Sequence, residues 1–127
     1  MPNPNKAKGS RWERDLVLYL RERLDLPVVR TSNELGVGDL GNLPLLANEA
    51  KNEAGMRVWA YLDQAASQAV RACVPFAVVW VKRRNASAAR GAVAMQIDQF
   101  TELYRDYVLP SLACDRCAMV RAEGRNV

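Results

Sequence analysis

The sequence predicts a single α/β domain with a mixed central β-sheet flanked by helices, in the order α-β-β-β-α-β-β-α. Two stretches, Ser10 to Leu24 and Val58 to Cys73, repeat their apolar residues with a helical period. Short β-branched or apolar runs lie between and after them. One of these, Pro75-Phe-Ala-Val-Val-Trp-Val81, is apolar almost throughout, as a strand covered on both faces should be. The length of 127 residues, half of them hydrophobic, suits one core. We expect that core to span about residues 8–108, with tails at 1–7 and 111–127.

Each element has a local reason. Val17, Leu20 and Leu24 share a helical face with Leu16 beside them. Ser10 and Glu13 fit the S-x-x-E capping box, so the first helix should begin near Ser10. Asp25-Leu-Pro27 breaks it, and Val28-Val-Arg-Thr31 reads as a strand. A polar loop, Ser32 to Gly36, follows. Val37 to Leu40 and Leu45 to Lys51 read as the two strands of a hairpin turned by Gly41-Asn-Leu-Pro44. In the second helix Leu62, Ala65, Ala66, Ala69, Val70 and Cys73 fall on one face, which should be the core side. Pro75 to Val81 should be central in the sheet. Arg83 to Arg90 is a basic loop, Gly91 to Ile97 a further strand, and Asp98 caps a last helix that Pro110 ends.

Composition narrows the function. Lysine and arginine number 18 against 14 acidic residues, a net charge of +4 that favours a polyanionic partner such as nucleic acid, although a merely basic soluble protein meets it as well. No stretch nears the roughly 18 consecutive apolar residues of a membrane span, and MPNPNKAKGS has no signal-peptide core, so no membrane partner is expected. A cytoplasmic location is expected, or the host cytoplasm for a viral chain. Three cysteines point to reduced thiols, and the Cys114/Cys117 pair lacks a full set of zinc ligands because only Cys73 and no histidine could join it. The absence of histidine also removes Ser/His/Asp triads and Cys/His pairs, leaving carboxylates, lysine, hydroxyls and a bound metal to carry any catalysis.

Alternate residues of a strand share a face, so Glu49 and Lys51 point the same way at the end of an otherwise apolar strand. With a turn near residues 43 to 44, Asp39 falls opposite Ala47 to Glu49, where facing Cβ atoms lie roughly 4.5 to 5.5 Å apart. Two carboxylates that close repel unless a cation lies between them, and Mg²⁺ takes one or two such carboxylates together with phosphate and water. The result has the outline of a phosphodiesterase site. An ordinary cross-strand salt bridge explains the same residues. Glu13, on the stripe of Val17 and Leu20, is either a second role for the capping box or a further acidic group beside the core.

Lys8-Gly-Ser-Arg-Trp-Glu-Arg-Asp-Leu16, then Val28-Val-Arg30 with Ser32, Gly38-Asp39-Leu40, Leu46-Ala-Asn-Glu-Ala-Lys51 and Asp63-Gln64 resemble the successive motifs of archaeal-type Holliday junction resolvases. That family belongs to the PD-(D/E)XK nuclease superfamily, and the similarity runs from about Lys8 to Tyr104. The resemblance implies a restriction-endonuclease-like fold and a homodimer that cuts four-way DNA junctions with Mg²⁺, for which Mn²⁺ can substitute. It implies that Asp39 and Glu49 bind the metal with the carbonyl of Ala50, and that Lys51 positions the attacking water. Glu13 would be the first-helix carboxylate near the metal, Ser32 a loop serine that contributes to cleavage, and Gln64 the second-helix glutamine near the site. Two departures stand out. Gly38 replaces a proline, which should cost little where the backbone only turns into a strand, and the loop after Ser32 reads Asn-Glu-Leu-Gly in place of a more glycine-rich one.

Arg57, Tyr61, Gln64, Gln68 and Arg71 form one stripe on the second helix, and Lys82, Arg83, Arg84 and Arg90 flank the next hairpin. Together with Lys8, Arg11 and Arg30 they are candidates for phosphate contact. The stripe fits a solvated helix face equally, and Arg30 could pair with Glu34. Three functions follow: a junction-resolving endonuclease, a nuclease acting on linear or sequence-specific DNA, or a catalytically silent DNA-binding module.

Overall fold

Lys6-Ala-Lys8 are strong helix formers and Pro4 is tolerated in a first turn, so helix α1 starts at Pro4 and runs to Leu24. Ser10 and Glu13 therefore lie inside the helix, and the expected capping box is not formed. The computed structural model describes residues 4–31, 38–53 and 57–112. The helix ends where Asp25 takes a left-handed φ of 53° and its N–H meets the Arg21 carbonyl at 3.1 Å. Arg21 Nε then donates to Val28 O at 2.6 Å, tying the helix end to the strand that follows.

Strand β1, Val29–Arg30, pairs antiparallel with β2, Leu40–Gly41. Strand β3, Leu46–Lys51, runs parallel to β4, Phe76–Val81, with helix α2, Val58–Ala72, as the crossover between them. Strand β5, Ala92–Ala94, adds antiparallel to β4. The sheet is thus mixed, in the order β3-β4-β5, and β4 is its central strand, as its continuous apolar run predicts. A 3₁₀ turn, Ala88–Arg90, leads into β5.

Among the described residues, which leave out Val37, the expected hairpin of β2 and β3 forms no ladder. Gly38 and Asn48 make one isolated bridge, of parallel sense, and β2 spends its regular hydrogen bonds on β1. Asn42 and Leu45 both adopt left-handed φ, 65° and 66°, so the intervening turn redirects the chain in place of folding it back in register.

Two cores cover the two faces of β3 and β4. Ala47, Ala77 and Val79 pack under Tyr61, Leu62, Ala65 and Ala69 of α2. On the other face Trp12, Leu16, Val17 and Leu20 of α1 bury against Val28 and Leu40, with Ala50 and Trp80 at the boundary. The buried side of α2 is rotated from expectation: Tyr61 and Gln68 are inside, whereas Val70 is 78 % exposed and Cys73 lies at the surface. Small alanines at 65 and 69 let α2 approach the sheet closely, which makes that side the contact face although Val70 is the larger apolar residue.

The chain divides between Gln96 and Ile97 into two compact units. In the second unit α3, Ile97–Leu103, continues through a wider π-helical stretch, Tyr104–Val108, into α4, Leu109–Ser111. Pro110 does not end the helix: it falls in the first turn of α4, where its missing N–H is not needed. Among the described residues no helix is long and apolar enough to cross a membrane.

Candidate carboxylate site

Strand β3 has β4 on one side only, and the segment around Asp39 occupies its other edge. Asp39 N–H donates to Asn48 O at 3.0 Å, and Ala50 N–H donates to Asp39 Oδ2 at 2.7 Å. The aspartate side chain thus takes the place of the next strand partner, which brings its carboxylate to Glu49. Ala50, expected to reach a metal through its carbonyl, touches Asp39 through its N–H.

Gly38 makes the approach possible. Its φ is +101°, and a Cβ there would collide with the Asn48 carbonyl oxygen. A proline, whose ring fixes φ near −65°, could not adopt this conformation. The change from proline is therefore not a neutral one in this chain, contrary to the sequence expectation; glycine is what the backbone requires.

Beside Gly38 lies a residue that sequence reasoning passed over. Asn48 is fully buried, and its side chain works as a surrogate peptide: Oδ1 accepts from Leu40 N–H and from Trp80 Nε1, each at 3.1 Å, while Nδ2 donates to Leu40 O at 2.8 Å. It replaces the ladder that β2 and β3 do not make. The signal was an amide in the middle of an apolar strand, a position where an unpaired polar group is costly.

Glu49 is 3 % exposed and faces α2. Burial, followed by the nearby Asp39 carboxylate, pushes its pKa up to about 7, against the opposing pull of Lys51 and Gln68. Gln68 Nε2 donates to Glu49 Oε1. The other amide atom, Gln68 Oε1, is buried and has no hydrogen-bond partner among the described residues. Gln68 is thus not a DNA contact on an open stripe but a buried neighbour of the carboxylate, while Gln64, expected to fill that place, is exposed one turn earlier. Gln68 shares a helical side with Tyr61 and Ala65, a spacing that could have found it.

Lys51 Nζ lies 3.9 Å from Glu49 Oε2 and 4.7 Å from the centre of the Tyr61 ring, so it is held between a carboxylate and an aromatic face. Tyr61 in turn donates its hydroxyl to Glu53. From α1, Glu13 joins the same group: burial raises its pKa first and Asp39 second, partly offset by Arg30. Arg30 is 3.0 Å from Glu13 and also donates to Ser10 Oγ at 3.2 Å. Its partner is therefore Glu13; Glu34 and the candidate Ser32 fall outside the described residues, as do Cys114 and Cys117.

Asp39, just before β2, thus acts on two other carboxyl groups, Glu49 of β3 and Glu13 of α1, and Lys51 lies beside Glu49. The carboxyl groups offer hard oxygen donors and an excess of negative charge, the donor chemistry that suits a divalent cation such as Mg²⁺. Among the described residues no three acidic or thiol side chains form a ready-made cage; an ion held by one or two carboxylates and completed by water and phosphate does not need one. Of the other candidate DNA contacts, Arg11, Arg57, Arg71, Arg83, Arg84 and Arg90 are exposed and Lys8 and Lys82 half-buried. Comparison of the chain with protein-family models, with curated proteins and with solved structures gives no match.

Proposed function

We propose that this protein is a Mg²⁺-dependent DNA endonuclease of the PD-(D/E)XK kind, selective for branched substrates such as four-way junctions. The observation that carries the reading is that Asp39, at the edge of β3 away from β4, acts on both Glu49 and Glu13, with Lys51 held beside Glu49. A carboxyl pushed up to about 7 by burial and then by a second carboxylate is expensive as a structural feature and useful as a cation site.

Asp39 and Glu49 would hold the metal, which when bound supplies Lewis-acid polarisation of the phosphate and a more acidic water. Gln68 fixes the rotamer of Glu49, and the Ala50 N–H fixes that of Asp39, so both carboxylates are oriented before substrate arrives. Lys51 is placed to stabilise charge developing on the phosphate or to orient the attacking water. The surface arginines supply the phosphate contacts that bring DNA to this edge. Cutting a four-way junction symmetrically takes two such sites, so the acting species in this reading is a homodimer.

The test is cleavage of a labelled four-way junction beside linear duplex and single-stranded controls, with Mg²⁺, Mn²⁺ or EDTA. Metal-dependent nicking of the junction is expected, and Asp39→Asn should reduce it about a hundredfold or more. Cutting of linear duplex alone would replace the junction reading with that of a linear-DNA nuclease. Tight binding of DNA with no cutting under any condition would overturn the enzyme.

A further inference from the structure

A cleft of about 880 Å³ opens in the first unit, lined chiefly by Lys8 and Arg11 of α1, Asn52 after β3, and Lys82, Arg84 and Asn85 after β4. It lies off the carboxyl ends of the parallel pair β3 and β4, where open α/β sheets commonly take their ligands. Among the described residues Lys8, Arg11, Lys82 and Arg84 make no ion pair. Against the two carboxylates of the lining, Asp15 and Glu53, these four cations leave the concave wall net positive, which focuses positive potential into it. Of the two carboxylates, Glu53 is held in place by the Tyr61 hydroxyl.

The cleft is also firmly built. Lys82 Nζ donates to Ala86 O at 3.0 Å and stands 5.6 Å from the centre of the buried Trp12 ring. Ala86 N–H closes on Arg83 O at 3.2 Å, and Asn85 between them takes a left-handed φ of 57°, which asparagine tolerates. Across the cleft Asn52 Nδ2 donates to Lys8 O at 3.4 Å, joining the end of β3 to α1.

We propose that this cleft receives an unpaired nucleotide of the DNA substrate. The cations account for its phosphate. The two amides, Asn52 and Asn85, carry both donors and acceptors, which a phosphate cannot use in full but a base edge can. The Watson–Crick edge is free only where a nucleotide has left the duplex. A volume of this size falls within the roughly 300–1,000 Å³ of small-ligand sites, whereas a duplex, whose major groove alone is about 12 Å wide, cannot enter.

Position links the cleft to the carboxylates. Successive residues of a strand face opposite ways, so at the end of β3 Lys51 turns to Glu49 and Asn52 to the cleft. A strand whose phosphate lies at the carboxylates can thus place a neighbouring unpaired nucleotide in the cleft, and branch points provide such nucleotides where intact duplex does not. Only this linkage rests on the nuclease reading; binding of the nucleotide does not.

The experiment measures anisotropy of a labelled 5′-phosphorylated oligothymidylate and of a blunt duplex, in EDTA at one fixed salt concentration. It uses the full chain, the double variant Arg84→Ala with Asn85→Gly, and Arg71→Ala as an exposed control on α2. Glycine at 85 keeps the left-handed turn, and thermal melting checks that the fold is unchanged. The double variant should weaken single-strand binding about tenfold, the worth of a charged hydrogen bond, and duplex binding about twofold, the loss of one phosphate contact. Arg71→Ala should weaken both equally. Equal loss for both probes in the double variant, or no loss for the single strand, would overturn the cleft assignment. Because no metal is present, a protein that cuts no DNA can still pass this test, and a protein that cuts junctions can still fail it.

Discussion

Asn48 and Glu49 are neighbours on one strand, both buried, both polar, and they face opposite cores. On the α1 side Asn48 is neutral and makes three hydrogen bonds that join β2, β3 and β4. On the α2 side Glu49 is a carboxyl set against another carboxylate, with an orphaned amide oxygen beside it. The first arrangement is complete within the protein and the second is not. That difference separates a buried polar group that holds the fold from one whose environment leaves charge and hydrogen-bonding capacity unmatched.

If the comparison is right, damage to the two faces should differ in kind. The largest effect should come from Asn48→Leu, which keeps the volume but strands Leu40 N–H, Leu40 O and Trp80 Nε1. At about 1–3 kcal/mol for each buried unpaired group, a loss of about 4 kcal/mol is expected in chemical denaturation. Asn48→Asp should be almost as harmful, because its carboxylate cannot donate to Leu40 O. A loss under about 1 kcal/mol for either variant would mean that another group takes over the join.

Next comes Gly38→Ala. The left-handed φ and the collision with Asn48 O act together, and a cost of about 3 kcal/mol is expected from backbone strain and displacement of the Asp39 segment. The same variant should weaken Mg²⁺ binding by calorimetry, since Asp39 is aimed by the residue before it. Unchanged metal binding at reduced stability would separate the two roles.

The contrast between the two faces also marks how far the sequence could be read. Alternation along β3 was enough to put Glu49 and Lys51 on one side, and the apolar run 75–81 was enough to make β4 central. Neither needs knowledge of the partner. The partner of β2 was not legible, because turn composition gives a reversal but not its hand; the positive φ of Asn42 and Leu45 sends β2 to β1. In α2 the periodicity was correct but its phase was not, since Val70 is apolar enough to count as core and Gln68 polar enough to count as surface. Which side packs was decided by the small residues Ala65 and Ala69 and by a carboxylate waiting on the sheet. Of the acidic residues singled out in the sequence, Asp39 acts on both Glu49 and Glu13 in the fold, and on α2 it is Gln68, one turn after Gln64, that reaches Glu49.

On the Glu49 face, stability should depend on pH. Its pKa in the fold, about 7, lies above the ordinary 4.5, so the folded state binds the proton more tightly than the unfolded chain. The stabilisation is complete below pH 4.5 and is lost as pH rises through 7. For the metal-free protein this amounts to about 3 kcal/mol. Glu49→Gln removes the titrating group and can still accept from Gln68, so it should melt near wild type at acid pH and above it at pH 8, at the expense of metal binding. Mg²⁺ should raise the wild-type Tm more at pH 8 than at pH 5, because it supplies the missing countercharge, and EDTA should reverse this. Parallel melting curves for wild type and Glu49→Gln across that range would remove the basis for treating this face as incomplete.

The smallest effect on stability, and the finest test, lies at Arg30. Its ion pair with Glu13 is partly exposed, so Arg30→Met should cost only about 0.5 kcal/mol. Yet Arg30 is the cation that holds the Glu13 pKa down against burial and Asp39. Without it Glu13 should keep its proton to higher pH, which a carboxyl-carbon NMR titration can follow whether or not the protein cuts DNA. A surface salt bridge that contributes only stability would leave that titration where it was; a cation that keeps a third carboxylate ionised beside Asp39 would not. The second outcome extends the incomplete face of β3 to α1, and makes the site one that three elements assemble.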